Sequence, residues 1–490
     1  MLRRPAFAAI AVGAAALAAG PAAAAEWERP ERVQNDDASA TRYDASDTTV
    51  DASLAANGRA AVVFNARGNR LWSVKRTRED RAFGRAERAF PAVRPRSLFD
   101  TGMDSRGRLA LAMGQTTGSR DALTGIVGDI ESSRGFGAPR RVSRSNGLTY
   151  GGPSVAVNPK GDVYAGFSGE RRGSGAAYVR RGTTGAGRYE GLTTLRPISG
   201  ATTVDPPDVR LGIRNNGTVV AVYDLPDGTA ATSTRDKDGK WTQLPPVGLP
   251  INGLLPDAMR LDVPSSGPAV LALAQGGDIR VMRLGSGGAR WSDPETVAVG
   301  AYVPRALAPV GFTTSFRDLA DLAVATNSRG DVAVAWGTNS VNQFAAGDFG
   351  DGGGTPAYSR AMRRGEDGSW PSPTTTPEPG FNAQVNNYVI SDVEVEMDNL
   401  RHAVAAYANS GADNGVDNPL AVTTWNGRSA SAWSATQDLS RFCNTALGIA
   451  GPSLAAAGGR GVLVAWGCAV PEGRQKGDYS PGLLYTRQFR

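Results

Sequence analysis

Apolar and polar residues alternate along this chain in short bursts, and the bursts recur. Each opens on a polar tight turn and closes on a bulky apolar side chain: "NGRAAVVF", "RGRLALAM", "KGDVYAGF", "NGTVVAVY", "SGPAVLAL" and "RGDVAVAW". The turn glycines are Gly58, Gly107, Gly161, Gly217, Gly267 and Gly330, and the closing residues are Phe64, Met113, Phe167, Tyr223, Leu273 and Trp336. Period-two alternation behind a turn predicts a half-buried strand entered through a hairpin. Glycine suits such a turn because it accepts positive φ. Two further copies, "RHAVAAY" and "RGVLVAW", carry Arg401 and Arg460 at the glycine position and so predict a different turn type.

A second pattern follows each hairpin: an aromatic residue, often Pro three later, and an aliphatic six later. It is clearest in "FGAPRRV" at Phe136, "WTQLPPV" at Trp241, "WSDPETV" at Trp291 and "WPSPTTT" at Trp370. Proline has no amide hydrogen, so this element predicts an outermost strand. Between the two lies a third strand, as in "LWSVKR" or "LAVTTW". Four strands in a unit of roughly 50–70 residues is the pattern of a propeller blade. The expectation is an all-β fold: a single β-propeller of eight four-stranded blades, with seven as the alternative. Copies start near Asp51, Leu98, Pro153, Asp208, Asp257, Asp321 and Asp392, and an eighth starts near Pro452. The eighth reaches Arg490 without an edge pattern of its own. "EWERPERV", residues 26–33, matches "RWSDPETV" and fills that vacancy. Residues 26–490 therefore read as one domain, with 26–34 closing the last blade.

Residues 1–25 have two arginines, an Ala-rich apolar run and a small-residue end, the layout of a secretory leader. Gly20 and Pro21 interrupt a run too weakly apolar to predict a membrane span. The expected location is secreted or extracellular, with cell-envelope association possible in principle, and a monomer. Across 490 residues the charges are interspersed, with 53 Lys and Arg against 47 Asp and Glu. No basic stripe predicts nucleic acid as a partner. The two cysteines, Cys443 and Cys468, predict a disulfide in an exported chain.

Working-face residues follow from loop lengths. Links between first and second strands are short, whereas long links fall on the opposite face in blades five to eight. Long loops on a rigid scaffold favour binding there. Candidates on that face are Arg305, Arg317, Phe344, Phe349, Phe381, Tyr388, Arg441 and Tyr479. A carboxylate also recurs at the start of the inner strand: Asp51, Asp100, Asp208, Asp257, Asp321 and Asp392. It reads either as a cation-binding rim or, favoured by its recurrence, as an acceptor for backbone N–H groups of its own turn. "GDFGDGGG" (Asp348, Asp351) and "GADNGVDN" (Asp413, Asp417) are loose calcium-loop look-alikes whose default reading is polar loop. No cofactor is required by these patterns, and calcium is the one metal they suggest.

His402 is the single histidine and is placed beside a turn on the face away from the long loops. This argues against Ser–His–Asp chemistry and a His-rich zinc site. No phosphate-cradling or dinucleotide fingerprint is present.

"GDVAVAW" followed by "RRGEDGSWPSP" resembles the exported propeller repeats of high-GC bacteria, which are similar to sialidase (Asp-box) propellers. "STRDKDGKW" has the Asp-box residue types at other offsets, and the arginine-bearing Phe/Tyr-Arg-Ile-Pro segment of sialidases is absent. The resemblance implies the propeller fold. The expected function is non-catalytic binding of a glycan, polymer or protein at the envelope through the long-loop face of blades five to eight. The alternative is a glycan-active enzyme, a sialidase-like hydrolase or polysaccharide lyase, with carboxylate, Arg and Tyr groups on that face.

Overall fold

All six predicted turn glycines adopt positive φ, between 76° and 95°. The chain thus reverses where alternation begins. The computed structural model describes residues 27–28, 31–33, 50–66, 70–79, 82–89, 95–117, 120–129, 140–143, 148–171, 174–186, 188–198, 208–225, 227–250, 254, 256–285, 287, 289–308, 315–345, 348–351, 357–365, 368–377, 388–411, 420–426, 432–439, 449–469 and 482–489. The leader, Phe381, Asp413, Asp417, Arg441, Cys443 and Tyr479 lie outside them, as does the side chain of Cys468. The expected disulfide rests on sequence alone.

Eight antiparallel sheets follow one another along the chain. Their inner strands are Val50–Leu54, Pro95–Met103, Leu148–Val157, Val209–Ile213, Pro256–Asp262, Ser315–Thr326, Tyr388–Met397 and Ile449–Ala456. In sheets one to seven the next three strands are added outwards in sequence order. Where the proline-bearing element occurs it is the edge, for example Trp241–Val247 in sheet four and, just after Pro294, Glu295–Ala298 in sheet five. In sheet eight the edge is Glu31–Val33, paired with Gly482–Phe489 in the register Glu31↔Thr486 and Val33↔Leu484. Trp27 bridges Phe489 just beyond.

The edge-strand tryptophans wedge between sheets. Trp291 of sheet five packs among Val220, Val222 and Leu244 of sheet four and donates from Nε1 to Thr232 at 2.9 Å. Trp27 does the same for sheet eight, packed among Val404, Val422 and Leu439 of sheet seven. The bulky residues closing each hairpin are buried between sheets, with Tyr223, Tyr407 and Trp466 at 0% exposure. Burying an aromatic side chain of this size is worth about 2–3 kcal/mol.

Close to the axis, polar side chains fasten seven of the eight inner-strand junctions. Ala52 N–H donates to Ser453 Oγ, Val155 to Asp100, Leu211 to Ser154, Thr326 to Asp262, Val393 to Asp321 and Leu454 to Glu394. Ser53 and Thr101 hydroxyls join sheets one and two at 2.7 Å. Sheet eight therefore packs on sheet one as any other neighbouring pair does, with Ala455, Leu463 and Ala465 against Val50, Ala52 and Leu54. A cavity of about 420 Å³ at the turn end is lined by the ends of all eight inner strands. This is a propeller-like arrangement. Among the described residues no helix is long and apolar enough to cross a membrane.

Between sheets four and five no side-chain latch spans the inner strands among the described residues, and a glycine takes its place. A Cβ on Gly212 would stand 2.2 Å from Val263. Gly212→Ala is expected to cost about 1–3 kcal/mol through overpacking, read as a lower urea midpoint at unchanged m-value.

Two local expectations are corrected. Arg401 keeps the same left-handed turn as the glycines, at φ 72°, instead of changing turn type. Its Nε pairs with Asp331 at 2.8 Å. In the eighth copy the turn does change, with positive φ at Gly458 and Gly461. Second, "GDFGDGGG" is not simply a polar loop. Asp348–Asp351 forms an extra strand on Val332–Ala345, pairing Gln343↔Phe349 and Val341↔Asp351. Alternation in "SVNQFA" carries the hairpin outwards.

Candidate functional site

Counted back from the turn glycine, the residue seven positions earlier is Asp51, Asp100, Ser154, Arg210, Arg260, Ala323, Glu394 or Ser453. Four of these make the inter-sheet latch from that position: Asp100, Ser154, Glu394 and Ser453. In sheets four and five the position is arginine, which has no acceptor for a backbone N–H. There the latch layer opens instead into a hollow.

The hollow has a volume of about 570 Å³ and lies on the long-loop face, between sheets four, five and six. Its charged lining is Asp208, Arg210, Asp224, Asp257, Arg260, Arg305, Asp318 and Asp321. Arg210 reaches Asp224 at 2.9 Å and Asp208 at 3.2 Å. Arg260 donates to Asp321 Oδ1 at 2.5 Å. Arg305, on a single 3₁₀ turn (Arg305–Leu307), grips Asp318 through Nε at 2.8 Å and Nη2 at 2.6 Å. The Arg305 side chain is 60% exposed, whereas Asp318 is buried. That hydrogen bond holds the Arg305 proton more tightly than usual.

Asp257 accepts the Tyr302 hydroxyl at 2.5 Å. Burial pushes the Asp257 carboxyl up; Tyr302 and Arg305 pull it back, and the Asp318 charge adds to the rise. Tyr302 is 4% exposed, and its own ionisation is pushed up by burial and by Asp257. The dyad therefore pairs a neutral phenol with a carboxyl that holds its proton above the ordinary range.

Of the sequence candidates, Asp208, Asp257, Asp321 and Arg305 converge here. Arg317 is exposed on the neighbouring strand; its carbonyl accepts Val303 N–H at 2.7 Å and its side chain lies off the hollow. Asp51, Asp100 and Asp392 sit on inner strands nearer the axis. Phe344, Phe349 and Tyr388 are placed by backbone only, within strands. Asp348 and Asp351 are likewise backbone positions. Among the described residues no group of three His, Cys, Asp or Glu is arranged to hold a metal ion. The turn carboxylate role belongs to other residues: Asp104, Asn158, Asn327 and Asp398 each accept two backbone N–H groups of their own turn. His402 hydrogen-bonds Asp398 at 2.9 Å, on the face away from the hollow.

Sequence reading missed Arg210, Asp224, Arg260, Asp318 and Tyr302. The signal lay in "PDVRL" and "PDAMRL", where arginine stands two or three residues after the recurring Asp.

No protein-family model matches this chain, and no curated protein does. Solved structures resemble it at low similarity. A lectin from Burkholderia pseudomallei is 12% identical at a TM-score of 0.48, over 80% of this chain and 99% of that one. An ulvan lyase, from a family of polysaccharide lyases, is 10% identical at a TM-score of 0.44, over 66% and 81%. A fucose-specific lectin from Aleuria aurantia is 11% identical at a TM-score of 0.34, over 70% and 99%.

Proposed function

We propose that the eight sheets are blades of one closed propeller and that the hollow between sheets four, five and six binds a carbohydrate. The reading keeps residues 1–25 as an export leader and Cys443–Cys468 as a disulfide near the working face. The observation that carries the binding reading is the lining itself. Three guanidiniums and five carboxylates converge in one half-open space, each guanidinium already held by a carboxylate. Such pairs present fixed donors and acceptors side by side, which is what vicinal hydroxyls need. The volume lies within the roughly 300–1,000 Å³ of small-molecule sites. Carboxylates outnumber guanidiniums, so the hollow favours neutral or amino sugars over polyanions.

The test is a calorimetric screen of neutral, amino-bearing and sulfated or uronic oligosaccharides. Neutral or amino sugars should bind, and Arg260→Ala should weaken them about tenfold or more, the loss of one charge-assisted contact. Preference for the polyanions, or no binding by folded protein, would sink this reading.

A second reading, turnover of the bound glycan, is favoured by one feature: the Tyr302–Asp257 contact. A carboxyl whose proton affinity is raised by burial, hydrogen-bonded by a phenol and next to a second carboxyl, is an arrangement acid–base catalysis uses. Reducing-end release that Asp257→Asn abolishes while binding persists would establish it. Binding without release leaves the protein a non-catalytic receptor.

A further inference from the structure

Seven carboxylates lie along the inner strands near the axis: Asp51, Asp100, Asp262, Asp321, Asp392, Glu394 and Glu396. They come from sheets one, two, five, six and seven. Four of them hold the inter-sheet latches described above, so their oxygens are committed to neighbouring backbone and cannot swing out to water. Two junctions bring carboxyl against carboxyl, Asp51 with Asp100 and Asp321 with Asp392. Glu394 faces Asp392, Asp51 and Glu396, and Glu396 faces Asp262. The uncharged neighbours are Ser53, Thr101 and Ser453, with Tyr189 near Asp100. Among the described residues the cation set against them is Arg260, beside Asp321 and Asp392.

Seven anions and one cation this close cannot all be ionised. We propose that this axial array is assembled with protons as its counterions, making the fold an acid-stable ring that loosens as pH rises through neutrality. The protons bind to carboxyl oxygens and lie between facing pairs. No metal-holding arrangement is present among the described residues to take their place.

The burial of these carboxyls points the same way as the geometry. Burial is the first cause in every case. It lifts Asp51 and Asp262 to about 6 and Asp392 to about 7, and Asp100, Glu394 and Glu396 well above the ordinary range. Each group binds its proton more tightly folded than unfolded. Their contribution is thus complete below pH about 4 and is lost as pH rises through about 6 and 7. Asp321 ties the array to the hollow, since it pairs with Arg260 and faces Asp392.

Thermal melts of the full chain from pH 4.5 to 8 test this. The expected Tm falls by about 5–10 °C over that range. Asp392→Asn with Glu394→Gln, which keep acceptors but remove charge, should cut the fall by half or more. Should that variant not fold, wild-type chain unfolded in urea at pH 6 without buffer should release about two or more protons. A Tm that is flat or rises with pH, an unchanged slope in the variant, or no proton release would overturn the proposal. So would recovery of the pH 8 loss by millimolar calcium, which would make the array a metal site. None of these outcomes depends on whether the hollow binds sugar.

Discussion

A chain lacking residues 26–34 is expected to lose most of the stability of sheet eight and to expose Gly482–Phe489 as a free edge. Those residues bind three sheets at once. Trp27 packs on Phe489 at 5.3 Å between ring centroids, with the Arg487 guanidinium 4.8 Å over its ring. Glu28 donates to Gln488 O and accepts from Arg487 Nε, both at 2.8 Å. Glu31 Oε1 accepts Phe83 N–H of sheet one at 2.6 Å. The tryptophan also fills the seam with sheet seven. Trp27→Ala alone should cost about 2–3 kcal/mol, below the 3–5 of a fully enclosed aromatic because Trp27 is half-buried. The deletion removes strand pairing as well and should cost more than about 4 kcal/mol, with self-association through the bared edge. Urea melts and light scattering read both effects. A synthetic peptide of residues 26–34 should restore the midpoint and suppress association. A deletion whose Tm stays within about 2 °C of the full chain would mean that this strand contributes no closure energy.

The vacancy in sheet eight was legible because it is a break in a period. "EWERPERV" announces itself only against seven other edges, and Trp27 then packs into the seam of sheets seven and eight as Trp291 packs into that of sheets four and five. The hollow was less legible for the same reason reversed. Arg210 and Arg260 occupy the position that Asp100, Ser154, Glu394 and Ser453 use to hold the next sheet, so the site is an exception within the repeat. Asp224, Asp318 and Tyr302 come from a second strand, the far end of an inner strand and an inter-sheet link; only the approach of sheets four, five and six unites them. The recurring carboxylate split in two. Asp208, Asp257 and Asp321 reached the hollow, while Asp51, Asp100 and Asp392 went to the axis: counted back from the turn they stand seven to ten residues away, so the recurrence in sequence is not one structural position. Asp100 and Asp321 both accept an N–H of the next sheet, and Asp100 also accepts that of Thr101 on its own strand.

Replacing Asp331 should be the most damaging single change on the turn face. Its side chain is fully enclosed and gathers three donors. Asn327 Nδ2 and Arg401 Nε reach Oδ2 at 2.9 and 2.8 Å, and Gly365 N–H reaches Oδ1 at 2.8 Å. Arg401 is on sheet seven, so the carboxylate joins two sheets. Asp331→Ala removes an acceptor from all three donors, of which Asn327 Nδ2 keeps Asp398 O at 3.2 Å, and should cost about 3 kcal/mol. Arg401→Gly sets two effects against each other. It relieves a left-handed φ of 72°, worth about 1–2 kcal/mol, and leaves a buried carboxylate without its cation. Because Asp331 keeps two neutral donors, the second effect should win by a modest margin, a net cost of about 1–2 kcal/mol. The double mutant should then be less damaged than the sum of the singles by about 1–3 kcal/mol. Urea midpoints of the four proteins decide it. If Arg401→Gly proves stabilising, the turn and not the ion pair governs this junction, and arginine at the glycine position is simply a strain that the fold tolerates.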